Sequence, residues 1–98
     1  MVLEQVHITV APERVSDYQQ AFEQARPQVQ CQPGCKSCQL LPALDHPGQF
    51  LLLIEWETKE HHTEGFRKSP AYQEWSRLLH PFYDTFPTVN YYLIKEAG

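Results

Sequence analysis

The fold is decided by an apolar run near the middle of the chain, Phe50-Leu51-Leu52-Leu53-Ile54-Glu55-Trp56-Glu57. Its first five residues are all apolar, show no helical spacing, and follow the turn signal Asp45-His46-Pro47-Gly48. This pattern predicts a strand buried on both faces. Helices of the same chain can cover one face, and in a chain this short a second copy of the protein covers the other most simply.

Outward from this strand, the remaining segments alternate between strand and helix signals. Apolar residues alternate with polar ones in the later part of 2–10, and they recur at steps of three and four from 12 to 30, where Pro27 should kink or shorten the helix. We predict further strands at 35–41 and 88–95, a short helix at 59–68 that Thr58 caps, and a helix that Ser69 and Pro70 begin.

The predicted order is β-α-β-β-α-β, which is typical of an α+β, ferredoxin-like fold with a four-stranded antiparallel sheet and helices on one face. We expect one domain over residues 1–98. The third and fourth strands carry apolar residues on both sides, so the face without helices would expose an apolar patch. We therefore predict a homodimer that packs sheet against sheet.

Composition argues against several classes of function. The chain has 98 residues and a net charge of -4, and its Lys and Arg residues are scattered, which argues against binding nucleic acid. Gly-rich phosphate loops are missing from the sequence, and no apolar run approaches the roughly 18 residues of a membrane span. The first residues do not resemble a signal peptide, so we expect a cytoplasmic protein with no membrane partner.

Four motifs of the sequence match a known family. They are Val6-His7-Ile8-Thr9-Val10-x-Pro12-Glu13, Gln32-Pro33-Gly34-Cys35, Glu55-Trp56-Glu57-Thr58-Lys59-Glu60 and Gly65-Phe66-Arg67-Lys68-Ser69-Pro70-Ala71-Tyr72. Together they resemble the antibiotic biosynthesis monooxygenase domain family. The resemblance spans almost the whole chain, and the strand that ends in Trp is its most specific part together with the Phe-Arg-x-Ser-x-x-Tyr segment. It implies a dimeric α+β barrel in which two ferredoxin-like subunits join their sheets.

The resemblance also implies a chemistry. Enzymes of this family oxidise electron-rich aromatic compounds such as quinols and anthrones with molecular oxygen, often with no cofactor, in a pocket between sheet and helices. A related branch degrades haem with a first-strand Asn, a strand-end Trp and a helix His. Trp56 matches that Trp, whereas Val6 and Phe66 occupy the other two positions, so the resemblance does not extend to haem chemistry. We expect no cofactor and no metal.

Oxidation of this kind needs a base that forms the substrate anion and an apolar cavity for a flat ring. His62, one turn from Phe66 on the predicted helix, is our first candidate for the base, and His7 and His80 are further candidates. Predicted pocket residues are Trp56, Phe66, Tyr72 and Trp75, with Tyr72 also able to donate a hydrogen bond to a substrate oxygen. The alternative is a partly exposed helix histidine at His62 and plain core packing for the aromatic residues.

The cysteine spacing Cys31-x3-Cys35-x2-Cys38 matches that of cluster-binding radical enzymes. Because Cys35 and Cys38 are three residues apart on a predicted strand, they should point to opposite faces, which argues against a cluster. Three cysteines in a cytoplasmic protein favour reduced thiols, and a zinc site with His46 is the remaining alternative.

Two functions from different classes remain open. The first is a cofactor-independent monooxygenase that acts on a small aromatic substrate. The second is a non-enzymatic dimeric stress-response or ligand-binding protein of the same fold. Because fold cannot separate them, the separation depends on whether an open pocket beside Trp56 and His62 contains a polar group.

Overall fold

A computed structural model describes residues 1–95. It contains one four-stranded antiparallel sheet with strand order β2-β3-β1-β4, and two α-helices that cover one face. The strands are β1 (Val2–Thr9), β2 (Cys35–Pro42), β3 (Gln49–Trp56) and β4 (Thr88–Leu93), and the helices are α1 (Val15–Gln30) and α2 (Pro70–Leu79). The predicted α+β, ferredoxin-like architecture is confirmed. In residues 1–95 no helix is long and apolar enough to cross a membrane.

Strand β3 lies inside the sheet, between β1 and β2. Its alternate residues Phe50, Leu52, Ile54 and Trp56 are buried under the helices, whereas those between them remain partly exposed on the other face. In a single chain, therefore, strand β3 is fully buried on just one of its two faces. The opposite face, which we call the open face, carries the side chains of Leu3, Leu41, Leu51, Leu53 and Tyr92.

Helix α1 buries Tyr18, Phe22, Ala25 and Val29, the stripe expected from the sequence. It begins after a short 3-10 turn and continues through Pro27 to Gln30, the end expected from the sequence, so Pro27 does not shorten the helix. Pro27 is exposed and lies in the last turn, where solvent can satisfy the one carbonyl group that the proline leaves unpaired.

The segment between β3 and α2 differs from the predicted short α-helix. His61–Phe66 forms a π-helix, and the amide of Arg67 donates to the carbonyl of His62, five residues earlier, at 3.0 Å. Thr58 accepts a hydrogen bond from the amide of His61 through its side chain, which agrees with its expected capping role. His62 and Phe66 are both buried, so the predicted shared face is confirmed.

Gly34 fixes the start of β2 against this π-helix. Its φ is +83°, and a Cβ atom there would lie 2.3 Å from the ring of His61, which Thr58 holds through a 2.8 Å hydrogen bond. We predict that Gly34→Ala lowers the free energy of unfolding by about 1–3 kcal/mol from backbone strain, with a further loss from the clash.

Gly65→Ala is the matched control for this substitution. The nearest atom to a Cβ there is 3.9 Å away, so the change should be neutral or slightly stabilising. Urea unfolding of both variants measures the difference, and equal stabilities would contradict the role assigned to Gly34.

Candidate functional site

A cavity lies between the helix-covered face of the sheet and the helices. It is narrow, with about 50 Å³ open to the centres of water molecules, and its lining is mostly apolar and aromatic. Phe86, which is 62% exposed, lies on its solvent side. The lining residues are Glu4, Val6, Ile8, Leu52, Ile54, His62, Phe66, Tyr72, Trp75, His80, Tyr83, Phe86, Pro87 and Val89.

Glu4 is the carboxyl group of this cavity, and it is only 4% exposed. Strand β1 places it on the same face as Val6, because the two residues are two positions apart. The indole N–H of Trp56 donates to Glu4 Oε1 at 2.9 Å, so Trp56 orients the carboxyl group from behind the cavity wall. Glu4 is not among the residues predicted for the site, although the alternation that begins at Val6 indicates an inward side chain when it is extended back by two residues.

His62 is buried beside Glu4, with 4% of its surface exposed. Its Nε2 atom lies 3.5 Å from Glu4 Oε2, and its Nδ1 atom lies 2.5 Å from the hydroxyl of Tyr91. The alternative of a partly exposed helix histidine is therefore wrong. Contacts with β1 and with β4 bury this ring, and β4 lies far along the chain, so local sequence gives no sign of its burial.

Burial shifts the two titrating groups of this pair in opposite directions. Burial raises the pKa of Glu4 to about 7, against the smaller lowering effects of the Trp56 hydrogen bond and the nearby Arg67 charge. Burial also lowers the pKa of His62 to about 4, and the positive charge of Arg67 adds to this effect. Between these two values the carboxyl group of Glu4 holds a proton and the imidazole of His62 is neutral, so the pair carries one titratable proton.

Aromatic side chains form one wall of the cavity. Phe66 meets Tyr72 and Trp75 edge to face, with ring centroids 5.3 and 5.6 Å apart. His80 follows α2, and the centroid of its ring lies 4.7 Å from that of Phe86. Burial lowers the pKa of His80. Such a wall accommodates a flat ring by stacking and edge contacts.

The structure brings most of the predicted site residues together. Five of them line the cavity, and Trp56 joins them through Glu4. His7 lies elsewhere, since it is exposed on the open face and contacts the Gln5 side chain at 3.3 Å. The five lining residues are His62, Phe66, Tyr72, Trp75 and His80.

The cysteines are arranged differently from the expectation. A bulge in β2 shifts the register, so that Cys35 pairs with Trp56 while Cys38 pairs with Ile54, and both thiols lie on the helix-covered face. The prediction of opposite faces is wrong for this reason. Burial raises the pKa of Cys38 to about 12. Within residues 1–95 no three potential ligands lie close enough together to hold a metal ion.

Comparison with known proteins agrees with this architecture. The family model for antibiotic biosynthesis monooxygenase matches residues 1–78, most of the chain. The chain belongs to this family. YczJ, an uncharacterized protein of Bacillus subtilis strain 168, is a relative with 41% identity over 92 residues, which cover 94% of this chain and 97% of YczJ.

Solved structures of antibiotic biosynthesis monooxygenase family proteins have the same fold. A Bordetella bronchiseptica protein assigned to these monooxygenases superposes with a TM-score of 0.90 at 29% identity, and the match covers 97% of each chain. SnoaB, a cofactor-independent oxygenase from Streptomyces nogalater, gives a TM-score of 0.81 at 15% identity, over 98% of this chain and 94% of SnoaB. At that identity the second likeness concerns the fold alone.

Proposed function

We propose that this protein is a cofactor-independent monooxygenase that oxidises a small aromatic substrate, a quinol or an anthrone-like compound, with molecular oxygen. The observation that carries the proposal is the narrow aromatic cavity that contains one buried carboxyl group, Glu4, paired with His62. Membership in the antibiotic biosynthesis monooxygenase family supports the same chemistry.

In this proposal the base is the Glu4–His62 pair and not His62 alone. Both ring nitrogens of His62 face protein partners, so the carboxylate of Glu4 is the acceptor that a substrate meets in the cavity. A carboxyl group with a pKa of about 7 is well matched to take a proton near neutral pH. Trp56 holds the carboxylate, and Tyr72 donates to a substrate oxygen.

The reaction balances without a cofactor. Glu4 takes a proton from the acidic C–H or O–H group of the substrate, and the electron pair of that bond stays on the substrate. The anion passes one electron to oxygen, and the resulting substrate radical and superoxide combine to form a C–O bond. The peroxide takes the proton back and loses water to leave a carbonyl group. For an anthrone, a CH₂ group and O₂ become C=O and H₂O.

The size of the cavity constrains how a substrate enters. About 50 Å³ open to water centres is less than a polycyclic substrate needs, so the substrate displaces the exposed Phe86 from the solvent side. The aromatic wall then contacts one face of the substrate, opposite Val6 and Ile8 on the sheet.

We further propose a homodimer that buries the open face, as the apolar residues Leu51, Leu53 and Tyr92 suggest. Sedimentation at micromolar concentration should then give twice the chain mass, and a monomer would contradict it.

Oxygen uptake by metal-free and flavin-free protein tests the monooxygenase proposal. A panel of hydroquinones and anthrones should include substrates that the protein oxidises faster than the spontaneous rate, with saturation and one oxygen consumed per substrate. Saturable binding without oxygen uptake across the panel would contradict the proposal and favour the ligand-binding alternative.

A further inference from the structure

Three side chains from three separate elements connect the cavity with the protein surface. Glu4 on β1 lines the cavity, His62 on the π-helix lies between, and Tyr91 on β4 is partly exposed. The successive contacts are 3.5 Å from Glu4 Oε2 to His62 Nε2 and 2.5 Å from His62 Nδ1 to the Tyr91 hydroxyl. Tyr91 lies on the edge strand β4, and its side chain is partly exposed.

Each member of this row can accept one proton and release another. An imidazole holds a proton on either ring nitrogen, and a tyrosine hydroxyl is both donor and acceptor. When Glu4 is ionised, the Tyr91 hydroxyl donates to Nδ1, and the proton of His62 is on Nε2, 3.5 Å from the carboxylate. When Glu4 is protonated, the proton of His62 is on Nδ1 and is donated to Tyr91, and the unprotonated Nε2 lies 3.5 Å from the carboxyl group.

We propose that His62 and Tyr91 form a proton path between the carboxyl group of Glu4 and solvent. Inward transfer begins when a hydronium ion gives a proton to the Tyr91 oxygen and becomes water. The hydroxyl proton of Tyr91 passes to Nδ1, and the Nε2 proton passes to Glu4, whose charge changes from -1 to 0. Outward transfer follows the same steps in reverse, with water as the acceptor.

Several charged and titratable groups surround Glu4, His62 and Tyr91. Arg67 lowers the pKa of Glu4, of His62 and of Tyr91, so its charge favours the state that has released the proton. The ammonium group of Lys59 lies 4.9 Å from the centre of the Tyr91 ring. Cys35 and Cys38 are further titratable groups whose pKa values the charge of Glu4 raises.

The significance of the path for catalysis rests on the proposed function. A substrate that fills the narrow cavity separates Glu4 from the solvent at Phe86. The route through Tyr91 does not include Phe86, because its members are Glu4, His62 and Tyr91. It therefore allows the Glu4–His62 pair to equilibrate its proton while the cavity is occupied. Tyr91 acts through His62 and is a relay residue, since it does not line the cavity.

Time-resolved infrared spectroscopy after a rapid acid jump tests the path without any substrate. The carboxyl C=O band of protonated Glu4, identified by its loss in Glu4→Gln, reports when the proton arrives. We expect Tyr91→Phe to slow this arrival by about tenfold or more, because the ring remains but the hydroxyl that transfers the proton is gone. Tyr92→Phe is the matched control, since the neighbouring tyrosine lies on the open face of the same strand.

His62→Gln interrupts the row at its middle and should slow the arrival by at least as much. An unchanged rate in Tyr91→Phe, or equal slowing in Tyr91→Phe and Tyr92→Phe, would overturn the path. Because the measurement needs no turnover, its result is independent of oxygen uptake. Slow proton arrival in Tyr91→Phe together with no uptake on any substrate would leave the path intact and overturn the monooxygenase proposal.

Discussion

Glu4→Gln should lower kcat/KM for oxygen uptake by about 10²–10⁴-fold, the usual contribution of a positioned general base. Glutamine has nearly the same shape, and its amide oxygen can still accept the hydrogen bond from Trp56 that Glu4 Oε1 accepts at 2.9 Å. The amide cannot take a proton from the substrate near neutral pH. The loss should therefore appear mainly in kcat, with a smaller change in KM.

The matched control is Glu60→Gln, which removes the same charge from an exposed position just before the π-helix. It should leave oxygen uptake within the error of the wild-type value. Circular dichroism and urea unfolding of both variants check that the fold is kept. A Glu4→Gln protein that is folded and retains wild-type kcat/KM would exclude Glu4 as the base.

Single substitutions in the Glu4–His62 pair should also produce opposite dependences of stability on pH. In His62→Gln the raised pKa of Glu4, about 7 against 4.5, remains because burial is its main cause. The folded state then binds more protons than the unfolded state between these values. The free energy of unfolding should fall as pH rises from 4.5 to 7, by about 3 kcal/mol in total.

In Glu4→Gln the lowered pKa of His62, about 4 against 6.5, remains for the same reason. Here the unfolded state binds more protons, so the free energy of unfolding should rise by about 3 kcal/mol as pH increases from 4 to 6.5. In the wild-type protein these two pH dependences cancel between pH 4.5 and 6.5. In that range the folded pair holds one proton, on Glu4, and the unfolded pair also holds one, on His62.

Urea unfolding at intervals between pH 4 and 8 measures these slopes, and Glu60→Gln again supplies the background from all other groups. The difference between each variant and this control isolates the remaining member of the pair. Identical pH dependence in both variants would show that Glu4 and His62 do not titrate with the shifts described above.

Much of the fold follows from the sequence because the controlling signals are local. The run Phe50–Ile54, the alternation in β1 and the stripe on α1 each depend on residues a few positions apart. The shared face of His62 and Phe66 is local in the same sense. The aromatic wall was predictable too, since Tyr72 and Trp75 are one turn apart on a helix whose start Ser69 and Pro70 mark.

The polar part of the site depends on contacts between distant segments. Glu4 and Trp56 are brought together by the pairing of β1 with β3, and Tyr91 reaches His62 only after β4 joins the sheet edge. The bulge that turns Cys35 to the same face as Cys38 has no clear signal in its residues. The residues on one wall of the cavity were therefore predictable, whereas the position of Glu4 beside the candidate base His62 was not.

The π-helix affects how this protein should be compared with its relatives. One turn of a π-helix contains about one residue more than one turn of an α-helix, because its hydrogen bonds join residues that are five apart instead of four. In a relative with an ordinary helix here, counting from the strand-end Trp would reach the wrong counterpart of His62 or Phe66. An alignment with such a relative needs a one-residue gap within 61–66. The gap should be placed by superposing the structures before the role of a residue is transferred from one protein to the other.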